Sequence, residues 1–226
     1  MINNIDVRDF RDVDHEIDPI FPERWSPRAM SGEALDVATL NQLFEAARWA
    51  PSAFNAQPWR FVYALPGTPH WDGIFNLLVD GNKSWCERAG ALVMVFSRHV
   101  FEHNGKPMGT HAFDTGAAWQ NLALQGARMG LVVHGMAGFD WSRASRVVNA
   151  PEEFSVQAMI AIGKPGLVEE LSESQRQKEH LHERLEGRAA VRDAPRRRRQ
   201  FNDRDQLASE DACRSSRKAP LQYRRW

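Results

Sequence analysis

Apolar residues recur at helical spacing between Leu35 and Trp49, where Leu35, Leu40, Leu43, Phe44 and Ala47 fall near one face. This spacing predicts an amphipathic helix over 35–49, with Asp36 or Thr39 as its N-cap. The helix ends by Ala50, because the ring of Pro51 disfavours helical geometry in the residue before it. Residues 60–65 read as a strand closed by Pro66-Gly67, and residues 71–79 as a short helix. Ala91 to Phe96 is an unbroken apolar run with β-branched members, which predicts a strand covered on both faces. Residues 98–111, containing His99, His103, His111, Gly105 and Pro107, read as a surface excursion. The longest helical signal runs from Phe113 to Gly130, with Asp114 suited to its start and Gly130 to the C′ position. Gly116, Ala117, Ala118, Ala123, Gly126 and Ala127 make this helix small enough for close packing on several sides. Leu131-Val132-Val133 opens a further element, and residues 155–162 form another strand candidate before Gly163-Lys164-Pro165-Gly166. Helices and strands alternating in this way predict a mixed α/β sandwich with the small-residue helix inside it.

Length changes this picture little: 226 residues suit one large domain, and 42% hydrophobic residues suffice for a core. Charge divides the chain. The formal net charge is zero, yet residues 1–175 hold 14 Lys+Arg and 21 Asp+Glu, net −7, which leaves 29 − 14 = 15 and 29 − 21 = 8, net +7, for 176–226. Residues 1–22 read as an acidic, solvated leader without the apolar stretch of a signal peptide. No apolar run approaches the roughly 20 residues that span a bilayer. Cys86 and Cys213 define neither a disulfide framework nor a zinc site, which suits a reducing cytosol and a cytoplasmic protein without a membrane partner. Residues 186–226 lack apolar periodicity and read as a basic tail, disordered or aberrant; Arg196 to Arg199 sit beside acidic residues, as in a solvated segment rather than a nucleic-acid site.

Three stretches carry candidate chemistry. In Arg24-Trp25-Ser26-Pro27-Arg28, two guanidinium groups and a hydroxyl lie within five residues, a set that suits a phosphate as well as a solvated loop. Between Ala50 and Trp59, the amides of Asn55 and Gln57 and the hydroxyl of Ser52 sit among prolines. Such groups can meet the alternating donors and acceptors of a flavin edge, or serve a rigid turn. Asp114 to Leu131 reads first as a core helix that also lines a dimer seam. His99, His103 and His111 read as surface histidines, with no carboxylate or cysteine completing a metal set.

Taken in order, these stretches and the Ala161-Ile162-Gly163-Lys164-Pro165-Gly166 strand end resemble the FMN-dependent nitroreductase family over residues 24–166. The Ala50 to Trp59 segment is the most specific part of the likeness. The resemblance implies an α+β fold, a three-layer α-β-α sandwich around a mixed, mainly antiparallel sheet, in a domain spanning 23–185 that forms a homodimer with FMN at the interface. It makes Arg24, Trp25, Ser26 and Arg28 the phosphate and ribityl contacts. Pro51, Ser52, Ala53 and Asn55 become the segment that reaches the partner's flavin, and Asn82 an isoalloxazine contact. Met136, Ala137 and Gly138 become the stretch whose backbone faces the ring, with Ala137 standing where relatives often carry an acidic residue. The basic C-terminal segment of relatives is echoed only loosely by Arg217 and Lys218. The implied activity is hydride transfer from NAD(P)H through FMN to a small acceptor such as a nitroaromatic or quinone, in ping-pong order and without a catalytic side chain. The alternatives are a flavin-binding protein of this fold without such turnover, or a branch doing other flavin redox chemistry.

Overall fold

The structure, a computed structural model, describes residue 11 and residues 13–179. The 186–226 tail, with Arg196 to Arg199, Arg217 and Lys218, and much of the acidic leader lie outside the described residues. After the short helix α1 (Ile20–Glu23), the first long element is α2 (Val37–Arg48). Asp36 caps α2 by accepting a hydrogen bond from Thr39 N at 2.6 Å. Then follow β1 (Trp59–Ala64), α3 (Trp71–Phe75), α4 (Asp80–Cys86), β2 (Ala91–Arg98), α5 (His111–Arg128), β3 (Val132–Met136), α6 (Trp141–Val147), β4 (Phe154–Gly163) and α7 (Glu173–Arg176).

The four strands are ordered β1-β2-β4-β3, and every pairing is antiparallel. Because β2 and β3 both run antiparallel to β4, they are parallel to each other, and β4 fills the gap between them. The connection from β2 to β3 is made by α5. Alternation along β2 sends Ala91, Val93 and Val95 into one core and Leu92, Met94 and Phe96 into the other. The first core holds Leu40, Leu43 and Ala47 of α2 with Ala118, Leu122 and Ala123 of α5. The second holds Ile74, Trp85, Cys86 and Ala144 from α3, α4 and α6. Helices therefore cover both faces of the sheet in three layers, and β2 is buried along nearly its whole length, as its unbroken apolar run implies.

The helix expected over 71–79 stops at Phe75, and α4 begins at Asp80. The chain between them is drawn away by backbone bonds to another segment: Asp140 N donates to Leu77 O at 2.8 Å, and Val79 N donates to Gly138 O at 3.1 Å. Gly130 stands one residue beyond the C-cap of α5 with φ +69°, the left-handed geometry its sequence position implied. Close packing of α5 on β3 depends on Gly126, where an added Cβ would meet Val133 Cγ2 at 2.3 Å. Alanine favours helix over glycine by about 1 kcal/mol, while overpacking costs about 1–3 kcal/mol. The stiff β-branched Val133 gives way poorly, so Gly126→Ala is expected to lose about 1 kcal/mol net, read as a lower urea midpoint.

Candidate functional site

The chain leaving α1 forms a loop, Arg24 to Arg28, that is fastened at several points. Arg11 Nη1 donates to the carbonyls of Pro22 and Arg24, at 2.6 and 3.0 Å. Within the loop, Arg24 Nη1 donates to Ser26 Oγ at 3.1 Å. At its far end Glu179, largely buried, accepts from the backbone N–H groups of Arg28 and Ala29 at 2.6 and 3.1 Å. The Arg28 guanidinium follows it, lying 3.5 Å from Glu179 Oε2 and donating to Lys178 O at 2.9 Å.

Arg24 and Ser26 line a cavity of about 350 Å³ together with Gly135 and Met136 at the end of β3, Ala137 just beyond it, and Trp119 of α5. Among the described residues β3 is an edge strand, so the backbone groups on its outer side are not used by the ladder. Gly135 keeps the lining low at this strand: a Cβ there would come within 3.1 Å of Trp119 Cζ2. The volume falls in the range of small-molecule sites. A guanidinium and a hydroxyl at one end suit a phosphate, and a strand edge beside an indole suits a flat ring with hydrogen-bonding edges. The residues present therefore fit FMN by their chemistry.

The other expected site residues lie outside the lining of this cavity. Asn82, on α4, donates from Nδ2 to Gly138 O at 3.0 Å, which brings these two together immediately beyond Ala137. Ala137 O accepts from Phe139 N and from Trp141 Nε1, both at 3.0 Å. Trp25 is buried, and among the described residues its indole nitrogen has no hydrogen-bond partner. Pro51, Ser52, Ala53 and Asn55 do not line the cavity; they form an outward segment between α2 and β1. That segment is built tightly. Ala53 N donates to the buried Asp114 carboxylate at 3.0 Å, Thr110 Oγ1 donates to the same oxygen at 3.1 Å, and Gln57 N donates to Ser52 Oγ at 3.1 Å. Phe54, Asn55 and Gln57 adopt φ of +53°, +53° and +47°. For side chains other than glycine this region costs about 1–2 kcal/mol per residue. The loop spends that energy to hold Phe54 90% exposed.

Several cavity-lining residues lie outside the expected set. Trp119 and Gln120 belong to the small-residue helix, whose apolar pattern signals core rather than site. Gly135 carried a usable signal, a glycine inside an apolar strand, which often marks a close backbone approach. Of the three histidines in the excursion, His99 and His111 are tied to hydroxyls, His99 Nδ1 to Ser155 Oγ at 3.2 Å and His111 Nδ1 to Ser97 Oγ at 2.7 Å. Burial, with His99 nearby, lowers the pKa of His111. No helix among the described residues is long and apolar enough to cross a membrane.

A layered antiparallel sheet with a cationic loop facing its edge strand defines a recognisable class of fold. The sequence profile of the nitroreductase family matches residues 22–68, the stretch holding the cationic loop, α2, the strained segment and β1. A solved structure described as an oxidoreductase containing FMN is 38% identical, covers 82% of this chain and 95% of its own, and superposes with a TM-score of 0.77. A Desulfovibrio desulfuricans structure in complex with FMN has the same fold at 21% identity and a TM-score of 0.62, over 80% of this chain and 99% of its own. A Streptomyces coelicolor protein whose name pairs NADH dehydrogenase with NAD(P)H nitroreductase is 25% identical over 173 residues, 65% of this chain and 81% of that protein. The chain belongs to the nitroreductase family of oxidoreductases.

Proposed function

We propose that this protein binds FMN in the cavity between the Arg24–Arg28 loop and β3, and that it is an NAD(P)H-dependent oxidoreductase acting on a small acceptor such as a nitroaromatic or quinone. The observation that carries this reading is the Arg24–Ser26 pair lining one cavity together with the stretch from Gly135 to Ala137. Arg24 and Ser26 hold the phosphate by charge-assisted hydrogen bonds. The backbone of Met136, Ala137 and Gly138 lines the ring, with Asn82 locking Gly138 in place. Trp25 and Arg28 keep the loop in shape, Trp25 by burial and Arg28 through Glu179. Bound FMN supplies a two-electron carrier between the nicotinamide and the acceptor; the protein orients the partners and excludes water, and no side-chain base is required. The segment from Pro51 to Asn55 reaches the site of a second copy in a homodimer, which gives the strained, exposed Phe54 loop its task. The FMN-containing and FMN-bound structures of the same fold support this reading.

The purified protein is expected to be yellow, with about one FMN per subunit, to sediment as a dimer and to oxidise NADH or NADPH when a quinone is added. Protein that stays colourless after incubation with FMN defeats the cofactor assignment. Bound FMN with no nicotinamide oxidation favours the second reading, a flavin-binding protein of this fold without such turnover.

A further inference from the structure

His134 lies on β3, paired with Ala161 of β4, one residue before the cavity wall formed by Gly135 and Met136. Its ring leaves the strand and meets two other parts of the chain. Nδ1 stands 2.9 Å from Pro27 O, and the imidazole packs against the Trp85 indole of α4 with centroids 4.7 Å apart. Pro27 follows Ser26 directly, and Ser26 is bonded to Arg24 at 3.1 Å. One hydrogen bond therefore joins the strand and the loop that together line the cavity.

We propose that His134 is a positioning residue for phosphate recognition, setting through the Pro27 carbonyl where Arg24 and Ser26 stand relative to the edge of β3. The proposal rests on the reading of this cavity as an FMN site. A carbonyl accepts but cannot donate, so Nδ1 carries the proton and the neutral ring is the Nδ1–H tautomer. The surroundings keep it neutral: burial above all, then the guanidinium groups of Arg28 and Arg24, push its pKa down to about 4 against the opposing hydrogen bonds to the backbone. Among the described residues the charged groups acting on the ring are Arg28 and Arg24 of the loop, with Glu179 paired to Arg28. A neutral donor fixes the loop without adding a third cation, and leaves the phosphate to Arg24. Trp85 backs the ring so that it cannot swing away from Pro27. Glu179 holds the loop at its other end, which leaves His134 as the tie nearest to Ser26.

Dissociation constants for FMN and for riboflavin, which lacks the phosphate, test this in the full-length protein and its variants. Asparagine carries its amide nitrogen where histidine carries Nδ1, and glutamine carries it near the position of Nε2. His134→Asn is therefore expected to keep the preference of the wild type for FMN over riboflavin. His134→Gln and His134→Leu are expected to lose about threefold to tenfold in FMN affinity, the span for one hydrogen bond, while riboflavin affinity changes less than twofold. A purely structural role for His134 would weaken both ligands together and leave the ratio unchanged, which overturns the proposal. Should His134→Leu fail to fold, the comparison of asparagine with glutamine still decides, since equal ratios for the two defeat it. Wild-type protein that binds FMN no better than riboflavin shows that the phosphate is not read here and overturns the positioning role alone. Wild-type protein that binds neither ligand removes the cofactor reading and this inference together.

Discussion

Replacing Arg24 with alanine is expected to weaken FMN binding by about 1.5–3 kcal/mol, the range for hydrogen bonds to charged groups. At about 1.4 kcal/mol per tenfold, this amounts to roughly a tenfold to 150-fold rise in the dissociation constant. Among the described residues Arg24 is the cationic side chain that lines the cavity, and Ser26, its hydrogen-bond acceptor, stands beside it. Ser26→Ala removes one donor to the phosphate but no charge, and is expected to cost about 1.5 kcal/mol, the low end of the same range. Since the two side chains are hydrogen-bonded to each other, the double variant should lose less than the sum of the single losses. Quenching of flavin fluorescence gives each constant, and circular dichroism confirms that the variants are folded. Added salt should narrow the gap between wild type and Arg24→Ala, because part of the lost interaction is ionic. Equal FMN affinity in wild type and Arg24→Ala would show that the loop does not hold the phosphate.

The second large effect falls on stability. Leu122 is 0% exposed, on α5, in the core that α5 shares with α2 and the sheet. Leu122→Ala removes buried methyl groups from between these layers and leaves a cavity, so the unfolding free energy is expected to drop by about 2–5 kcal/mol. Neighbours that collapse into the space give the lower end, and a rigid sheet surface gives the upper. Chemical denaturation reads the loss directly. Leu122 is not part of the cavity lining, so variant protein that remains folded should keep its FMN affinity within a few fold. A loss below 1 kcal/mol would mean that α5 is not seated in a tight core.

The elements legible from the sequence are those whose burial alone repeats at a regular period. Helix α2 announces itself through Leu40, Leu43 and Ala47 and through its Asp36 cap; β2 does so through an apolar run that only a doubly covered strand tolerates. By contrast, α4 and α6 are one-sided, short helices of seven residues each, with two buried residues and one respectively. Their position is set by distant backbone bonds, such as Val79 N to Gly138 O, which no local pattern announces. The candidate site follows the same division. Arg24 and Ser26 stood out because their chemistry is dense within a few residues. Arg28, equally conspicuous in the sequence, is turned aside by Glu179, a partner 151 residues away. His134 looks like an ordinary member of an apolar strand until the sheet order puts that strand at an edge among the described residues, whereas Gly135 gave a local signal of close backbone approach. Asp114, expected as a helix-start residue, has the further task of holding Ala53, and that task depends on the tertiary fold.

Among the described residues β3 stands at the margin of the sheet, which bears on the timing of exchange for a ligand in the proposed site. A central strand such as β2 can separate from its neighbours only when the whole core comes apart, whereas a marginal strand can open in a sub-global event that leaves the remaining layers standing. The cavity wall is built on that marginal strand and faces a loop fastened by a few hydrogen bonds. For a ligand held in the proposed site, this predicts exchange through local openings whose frequency those fastenings set, with a residence time measured separately from the rate of global unfolding.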